Sequence, residues 1–217
     1  MKRLVVASTN AGKIREVSLA LSDLPDWNVE SLPELPEIEE TGTTFLENAT
    51  LKAVHYSRFI GALTLADDSG LCVEALGGRP GLHSARYAPT TEQRNEMLLS
   101  ELAALGDSVD RRASFYCALA VAQAGAVVWT VQTELQGYIA QAPKGDFGFG
   151  YDPVFVVPDR GTLAELSPSE KNQISARGQV TGVGGGTLPF VYEVTYGAYQ
   201  RNVTLSSQGR ITVTANE

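Results

Sequence analysis

Two adjacent acids, Asp67 and Asp68, stand in the sequence DDSG directly after the apolar run of residues 63–66. Further acids, among them Glu40, precede them in a segment edged by prolines. Carboxylates at the end of a strand can hold a hard divalent ion such as Mg²⁺, which takes oxygen ligands and keeps several waters. Because side chains alternate along a strand, we expect only one of the two aspartates to face a cleft. The alternative is a turn with solvated acids.

The segment at residues 8–13, STNAGK, joins a short apolar run to a helical pattern. The first turn of a helix has N–H groups without intrahelical partners, and the helix dipole favours an anion there. Lys13 adds a positive charge at the same place. The chain matches neither the GxxxxGK[ST] pattern of Walker loops nor the GxGxxG pattern of dinucleotide sites. The segment therefore indicates either a phosphate contact or a helix-capping turn.

Residues 145–153, GDFGFGYDP, alternate glycines with aromatic side chains and end on an acid. Glycines let a ligand approach the backbone, and an aromatic ring can stack on a base, which is worth about 1–3 kcal/mol per base in nucleic-acid sites. The segment is also compatible with a turn whose rings pack into the core. It is therefore a candidate site for a nucleobase.

Residues 170–178, EKNQISARG, carry two cations, Lys171 and Arg177, six positions apart. Their long side chains could converge on one phosphate tail if the segment ends in a loop. A solvated, charged helix face is the alternative. The two histidines, His55 and His83, have no partner His or Cys at ligand spacing and are not predicted to bind metal.

Periodic apolar residues predict the helices that position these segments. The helical ranges are residues 13–22, 44–60 and 91–104. In the second helix, Glu47 follows Thr44 at the spacing of a capping box. In the third helix, Met97, Leu98 and Leu102 are expected to face inward.

Short runs rich in β-branched residues predict the strands. The strand ranges are residues 4–7, 28–31, 63–66, 113–122, 126–135, 137–140 and 153–157. Helices and strands alternate at first and then give way to strands, so we expect an α/β fold with a mixed central sheet rather than a purely parallel one.

Composition limits the classes of protein. The chain has 217 residues, 43% of them hydrophobic and 19% charged, as in a globular protein that buries a sizeable core. Its net charge of −8 opposes binding to a nucleic-acid polymer. The apolar runs are too short or too interrupted for a signal peptide or a membrane span, so we expect a cytoplasmic protein. Cys72 and Cys117 lie in apolar surroundings and are expected to be buried, reduced thiols.

The order of the motifs carries more information than any one of them. The motifs in question are residues 8–16, 39–53, 66–71, 77–81, 84–87, 148–153 and 164–178. In this order they resemble the inosine/xanthosine triphosphate pyrophosphatase family over residues 4 to about 179. The resemblance implies hydrolysis of dITP, ITP and XTP to the monophosphate and pyrophosphate. It also implies an Mg²⁺-dependent homodimer with a substrate cleft between two α/β lobes.

The same resemblance implies roles for individual residues. Glu40 and Asp68 would serve the metal, and Asp68 would also activate water. Phe149 would stack on the base, whose edge Asp152 would face. The residues expected to contact substrate are Ser8, Thr9, Asn10, Ala11, Gly12, Lys13, Lys52, Ser69, Phe149, Gly150, Tyr151, Asp152, Lys171, Ala176 and Arg177. Of these, Lys13, Lys52, Lys171 and Arg177 would neutralise the phosphates.

Two departures from the family pattern bear on selectivity and on domain organisation. Ala176 stands where the family usually has a His, which predicts a weaker preference for ITP over ATP. The family usually continues with an amphipathic helix, whereas this chain has three glycines at residues 184–186 and then strand-like sequence. We therefore expect a pyrophosphatase domain over residues 1–180 and an atypical C-terminal tail over residues 181–217.

Two other functions remain open from the sequence. The chain could be a nucleotide sensor that binds without turnover, or a pyrophosphatase that acts on a different modified nucleotide, such as a pyrimidine triphosphate. Release of pyrophosphate from a panel of triphosphates distinguishes these functions.

Overall fold

The computed structural model describes residues 2–21, 27–32, 34–181, 189–196, 199–206 and 211–215. Two features of the sequence analysis, the end of the first helix at Ser22 and the glycine run at residues 184–186, lie outside this part of the chain.

Five helices are present in the described residues. They are α1 (Ala11–Ala20), α2 (Phe45–Ile60), α3 (Thr91–Ala104), α4 (Pro168–Ile174) and α5 (Ala176–Thr181). The described residues also contain ten strands. They are β1 (Lys2–Ala7), β2 (Trp27–Ser31), β3 (Leu63–Val73), β4 (Arg112–Gln123), β5 (Ala126–Ile139), β6 (Phe155–Val157), β7 (Gly161–Thr162), β8 (Pro189–Tyr196), β9 (Tyr199–Ser206) and β10 (Ile211–Ala215).

The first seven strands form one sheet in the order β2-β1-β3-β4-β5-β6-β7. Strand β1 runs parallel to β2 and β3, whereas the pairs from β3 to β7 are antiparallel. The sheet is therefore mixed and carries helices, which confirms the predicted α/β class.

The third strand is longer than the sequence predicts. We expected it to end at Ala66, with a turn at residues 67–70 as an alternative for the acids, but β3 continues through these residues to Val73. Its whole second half pairs in register with β4, from Asp67 opposite Leu119 to Val73 opposite Ala113. Because the ladder satisfies the backbone of residues 67–70, the predicted strand end is wrong, the alternative of a turn is excluded, and the acids lie in the middle of a strand.

Two apolar clusters lie on opposite faces of the sheet. Along β4, Leu119 belongs to one cluster and its neighbour Ala118 to the other, as alternation requires. Helix α2 covers the face of small residues, where Ala49 and Ala53 are fully buried. Helices α1, α3 and α5 contribute to the larger cluster on the other face, with Val17 from α1.

Helices α2 and α3 follow their predicted bounds closely. Thr44 caps α2 through a capping box with Glu47, as the sequence predicts. In α3, Leu98 and Leu102 are buried, but the prediction for Met97 is wrong because its side chain is 41% exposed. The separate strand predicted at residues 137–140 is a continuation of β5, since Tyr138 still pairs with Val156 of β6.

The described residues after α5 form a second sheet. In it, strands β8, β9 and β10 pair antiparallel in the order β10-β9-β8. Among the helices of the described residues, none has the length and apolar character needed to cross a membrane.

Candidate active site

The two adjacent aspartates of β3 have different surroundings. Asp67 shares a face with Ser69 and Cys117, and its side chain is 1% exposed. Its Oδ1 binds Lys13 Nζ at 2.5 Å and accepts a hydrogen bond from Ser69, while Oδ2 binds Arg177 Nε at 2.7 Å. Cys117, a free thiol, also donates to Oδ2 at 3.5 Å. Every acceptor position of Asp67 is therefore in use.

Burial alone would raise the pKa of the Asp67 carboxyl, but Arg177 and Lys13 outweigh burial and hold it far below its usual range. Asp67 is thus an anion at any physiological pH. Its ion pairs join β3 to α1 and α5, so Asp67 has a structural role.

Asp68 lies on the other face of β3 and has one hydrogen-bond partner among the described residues. Lys52 Nζ, from α2, donates to its Oδ1 at 2.8 Å. Burial raises the pKa of Asp68 in spite of the neighbouring Lys52. The second oxygen, Oδ2, is therefore available to accept a proton.

Glu40 converges on the same lysine. Its Oε1 lies 3.0 Å from Lys52 Nζ, and its Oε2 lies 3.0 Å from Arg86 Nη1. Burial pushes the pKa of Glu40 upward, but Lys52 and Arg86 bring it below the usual value. Glu40 and Asp68 thus present two carboxylate oxygens to one cation.

This donor set suits Mg²⁺, which is usually bound by one or two carboxylates together with water and substrate phosphates. In the described part of the chain, no group of three or more His, Cys, Asp or Glu side chains could hold a metal ion by itself. Glu40 and Asp68 therefore fit a magnesium ion that shares its coordination with the substrate.

The predicted phosphate segment lies at the start of α1. Asn10 caps the helix by accepting a hydrogen bond from the Lys13 N–H at 3.1 Å, and Ser8 Oγ accepts one from the Asn10 N–H. Thr9, Asn10 and Ala11 are exposed. The first turn is thus accessible to an anion, and the Lys13 ammonium reaches back to Asp67 in β3.

The predicted base segment is fixed by its own acid. Asp152, 3% exposed, accepts a hydrogen bond from the Phe149 N–H at 2.6 Å and binds Lys171. Burial raises the pKa of Asp152 against the effect of Lys171. The Lys171 Nζ lies 4.6 Å from the centre of the Phe149 ring. The ring also packs so closely on Gly12 that a methyl group there would overlap it.

The structure places Tyr151 differently from its neighbours. Its ring is buried, and its hydroxyl donates to the Ser84 carbonyl at 2.9 Å. Gly150 is held through its carbonyl by the Asn95 amide at 3.1 Å. In this segment, therefore, Phe149 and Asp152 lie beside the phosphate segment, whereas the Tyr151 side chain anchors the loop to the core.

Lys171 and Arg177 converge on a carboxylate of α1, whereas the sequence suggested a phosphate as their common partner. Helix α4 ends at Ile174, Ser175 adopts an extended conformation, and α5 begins at Ala176. This break lets Lys171 and Arg177 bind the two oxygens of Glu16 in α1. Arg177 is 7% exposed and also donates to Ser69 at 2.9 Å.

Glu16 is a site residue that our sequence analysis did not identify, although it falls within the motif of residues 8–16. It stands three positions after Lys13, on the same face of α1, and this spacing is the signal that could have found it. Ala176 is 5% exposed, packs in the larger core cluster, and accepts a hydrogen bond from Thr133 through its carbonyl.

The chain matches the model of the Ham1 family over residues 4–181. It is 52% identical, over 189 residues, to a dITP/XTP pyrophosphatase of Geobacillus kaustophilus, covering 82% of this chain and 89% of that protein. It is 46% identical to a dITP/XTP pyrophosphatase of Bacillus subtilis, covering 82% of this chain and 92% of that protein.

Among solved structures, a HAM1 protein from Coxiella burnetii superposes with a TM-score of 0.74 at 44% identity. That match covers 83% of this chain and 95% of the other. The Staphylococcus aureus Ham1 protein matches with a TM-score of 0.69 at 41% identity and covers 81% of this chain and 92% of the other. The chain therefore belongs to the Ham1 family.

Proposed function

We propose that this protein hydrolyses the non-canonical purine nucleotides dITP, ITP and XTP to the monophosphate and pyrophosphate. The observation that carries the proposal is the convergence of Glu40 and Asp68 on Lys52, with Lys13 from the first turn of α1 near enough to act electrostatically on Asp68. The dITP/XTP pyrophosphatases to which the chain is similar support the choice of substrate.

Two lysines and the start of α1 bind the phosphates. A nucleoside triphosphate carries about four negative charges, so a protein with a net charge of −8 must place cations locally. Lys13 and Lys52 supply point charges, and the N–H groups of the first turn of α1 supply hydrogen bonds. When the phosphates bind, they take over these cations from Asp67, Asp68 and Glu40.

Glu40 and Asp68 would hold the magnesium ion. When bound, the ion neutralises charge on the phosphates and favours attack at phosphorus. Asp68 is the general base, because its Oδ2 has no hydrogen-bond partner among the described residues and can take the proton of the attacking water. The water oxygen bonds to the α-phosphorus, the bond from that phosphorus to the bridging oxygen breaks, and pyrophosphate leaves with the electron pair.

Phe149 and Asp152 bind the base. Phe149 offers a ring for stacking, and Asp152 is buried beside it, where it can face a base edge. Lys171 contacts both residues, so we place it at the base end of the site rather than at the end of the phosphate tail. Arg177 binds Glu16, Asp67 and Ser69 and so fixes the positions of these three side chains.

We also propose that the protein works as a magnesium-dependent homodimer in the cytoplasm, as the resemblance of its motifs implies. Light scattering of the purified protein tests the dimer, and removal of divalent metal with a chelator tests the magnesium requirement.

Release of pyrophosphate tests the proposed function. ITP, XTP, dITP, ATP, GTP and a modified pyrimidine triphosphate are each incubated with the protein, with and without Mg²⁺. We expect magnesium-dependent release of pyrophosphate from the first three. Binding of ITP without turnover would indicate a sensor, and turnover of the pyrimidine alone would indicate a different substrate.

A further inference from the structure

The motif at residues 84–87, SARY, has no role in the function proposed so far, yet it touches the carboxylate pair. It ends a 3-10 helix over Gly81–Arg86 that follows β3. The Ser84 hydroxyl accepts a hydrogen bond from the Leu71 N–H at 2.9 Å and donates to the Gly81 carbonyl at 2.6 Å. This side chain is 7% exposed, so the segment is fixed to β3.

Two further contacts fix the backbone just before Arg86. The Tyr151 hydroxyl donates to the Ser84 carbonyl at 2.9 Å, and Arg94 of α3 donates to the Ala85 carbonyl at 2.5 Å. The backbone that carries Arg86 is therefore held from three directions. The Arg86 side chain itself is 59% exposed.

The Arg86 guanidinium binds the oxygen of Glu40 that faces away from Lys52. Arg86 Nη1 lies 3.0 Å from Oε2, while Lys52 Nζ lies 3.0 Å from Oε1. Glu40 is thus held between two cations, one largely buried and one open to solvent.

The charges of this group balance without a ligand. Glu40 and Asp68 carry two negative charges, and Lys52 and Arg86 carry two positive charges. A divalent cation bound by the carboxylates would leave the charges of Lys52 and Arg86 uncompensated. Phosphate oxygens are the ligand that restores the balance, and a guanidinium can bind them through two parallel N–H donors.

Two groups of contacts mark the two parts of the site. Lys171 binds Asp152 and lies over the Phe149 ring, at the proposed position of the base. Arg86 and Lys52 share Glu40, one of the two proposed metal ligands, and a magnesium ion bound there would share its coordination with substrate phosphates. Asp68, the proposed base for attack at the α-phosphorus, binds Lys52 on the side away from Arg86, so Arg86 is placed at the phosphates beyond the α-phosphate.

We infer that Arg86 contacts the β- and γ-phosphates of the substrate and stays on the pyrophosphate as it leaves. The inference rests on the proposed function and adds to it a residue that acts on the leaving group. In the absence of nucleotide, Arg86 binds Glu40; with nucleotide, it exchanges that carboxylate for pyrophosphate oxygens.

Calorimetric titration with pyrophosphate and with IMP, both in the presence of Mg²⁺, tests the inference without any turnover. The variants are Arg86→Ala and Arg86→Lys, with Arg112→Ala as a matched control. Arg112 is 60% exposed and binds Glu74 and Asp110 outside the site. Thermal unfolding verifies that each variant is folded.

We expect Arg86→Ala to weaken pyrophosphate binding about tenfold and to leave IMP binding unchanged. Arg86→Lys should recover part of the loss, because it keeps the charge but not the paired donors. Arg112→Ala should bind both ligands like the wild type. Unchanged pyrophosphate binding by Arg86→Ala, or equal losses for pyrophosphate and IMP, would overturn the inference.

This titration and the pyrophosphate-release assay together separate this inference from the proposed function. If the wild type binds pyrophosphate through Arg86 but releases no pyrophosphate from ITP, XTP or dITP, the proposed function fails and the anion site stands. If the wild type hydrolyses ITP but Arg86→Ala binds pyrophosphate normally, the inference alone fails.

Discussion

Asp67 and Asp68 are consecutive in β3, yet Asp67 uses both carboxylate oxygens for ion pairs and hydrogen bonds, whereas Asp68 is bonded to Lys52 through one oxygen only. The alternation of the strand places them on opposite faces of the sheet. One aspartate therefore maintains the architecture of the site, and the other is placed to react.

Asp68→Asn should abolish turnover of ITP while leaving nucleotide binding measurable. The change removes a proton acceptor and a metal charge with little change in volume. Steady-state kinetics and calorimetric titration with ITP measure the two effects. A variant that kept more than about a tenth of the wild-type kcat would show that another group is the base.

Asp67→Asn is the comparison for Asp68→Asn. Because Asp67 is paired with Lys13 and Arg177, its neutralisation should lower the free energy of unfolding much more than neutralisation of Asp68. Denaturant titration of both variants measures this difference. Equal destabilisation by the two changes would contradict the separate roles.

Arg177→Ala should lower the free energy of unfolding by about 3–5 kcal/mol, because it leaves Asp67 as a buried charge with one cation fewer. The sign of the pH dependence follows from Asp67. Its pKa is lower in the folded protein than in the unfolded chain, so its contribution is present above about pH 4 and is lost as pH falls further.

In Arg177→Ala, this loss on acidification should be smaller than in the wild type. Urea titrations of both proteins at neutral and acid pH measure the two slopes. Identical stability of variant and wild type at neutral pH would contradict a structural role for the Arg177–Asp67 pair.

Lys13→Ala should weaken binding of ITP more than binding of IMP, since Lys13 lies at the first turn of α1 with the predicted phosphate contacts. Lys171→Ala should weaken both nucleotides, since Lys171 contacts Phe149 and Asp152. The loss of ITP affinity caused by Lys13→Ala should be smaller at high salt. A Lys171→Ala protein that lost affinity for ITP alone would place Lys171 at the phosphate tail instead.

Ala176→His tests base selectivity. A His could donate a hydrogen bond to the 6-oxo group of inosine, so the ratio of kcat/KM for ITP to that for ATP should rise by about tenfold, the scale of one hydrogen bond. Since Ala176 is 5% exposed, the larger side chain should also cost about 1–3 kcal/mol of stability. An unchanged ratio in the folded variant would show that Phe149, Asp152 and the backbone determine the selectivity for the base.

Local signals in the sequence predict much of this fold. The capping box of Thr44 and Glu47 marks the start of α2, and the apolar periodicity of α2 and α3 gives their lengths. The length of β3 could not be predicted in this way. Residues 67–70 have the composition of a turn, and they are extended because they pair with β4. That pairing joins residues about fifty positions apart, which no local pattern contains.

The candidate site, like the fold, is predicted by the sequence only in part. The sequence motifs identify Glu40, Asp68 and Lys52 as candidate site residues. They do not predict which cation binds which acid. Glu16 was not predicted because its partners, Lys171 and Arg177, are more than 150 positions away in the sequence. They reach Glu16 only because the helix is interrupted at Ser175. Long-range ion pairs of this kind depend on the assembled fold.

Hydrolysis of ITP in ¹⁸O-labelled water, followed by mass spectrometry of the products, tests the central claim most directly. If water activated by Asp68 attacks the α-phosphorus, the products are IMP and pyrophosphate, and the label appears in IMP only. Label in pyrophosphate would place the attack at the β-phosphorus, and formation of IDP with inorganic phosphate would show cleavage of a different bond; either result would contradict the account.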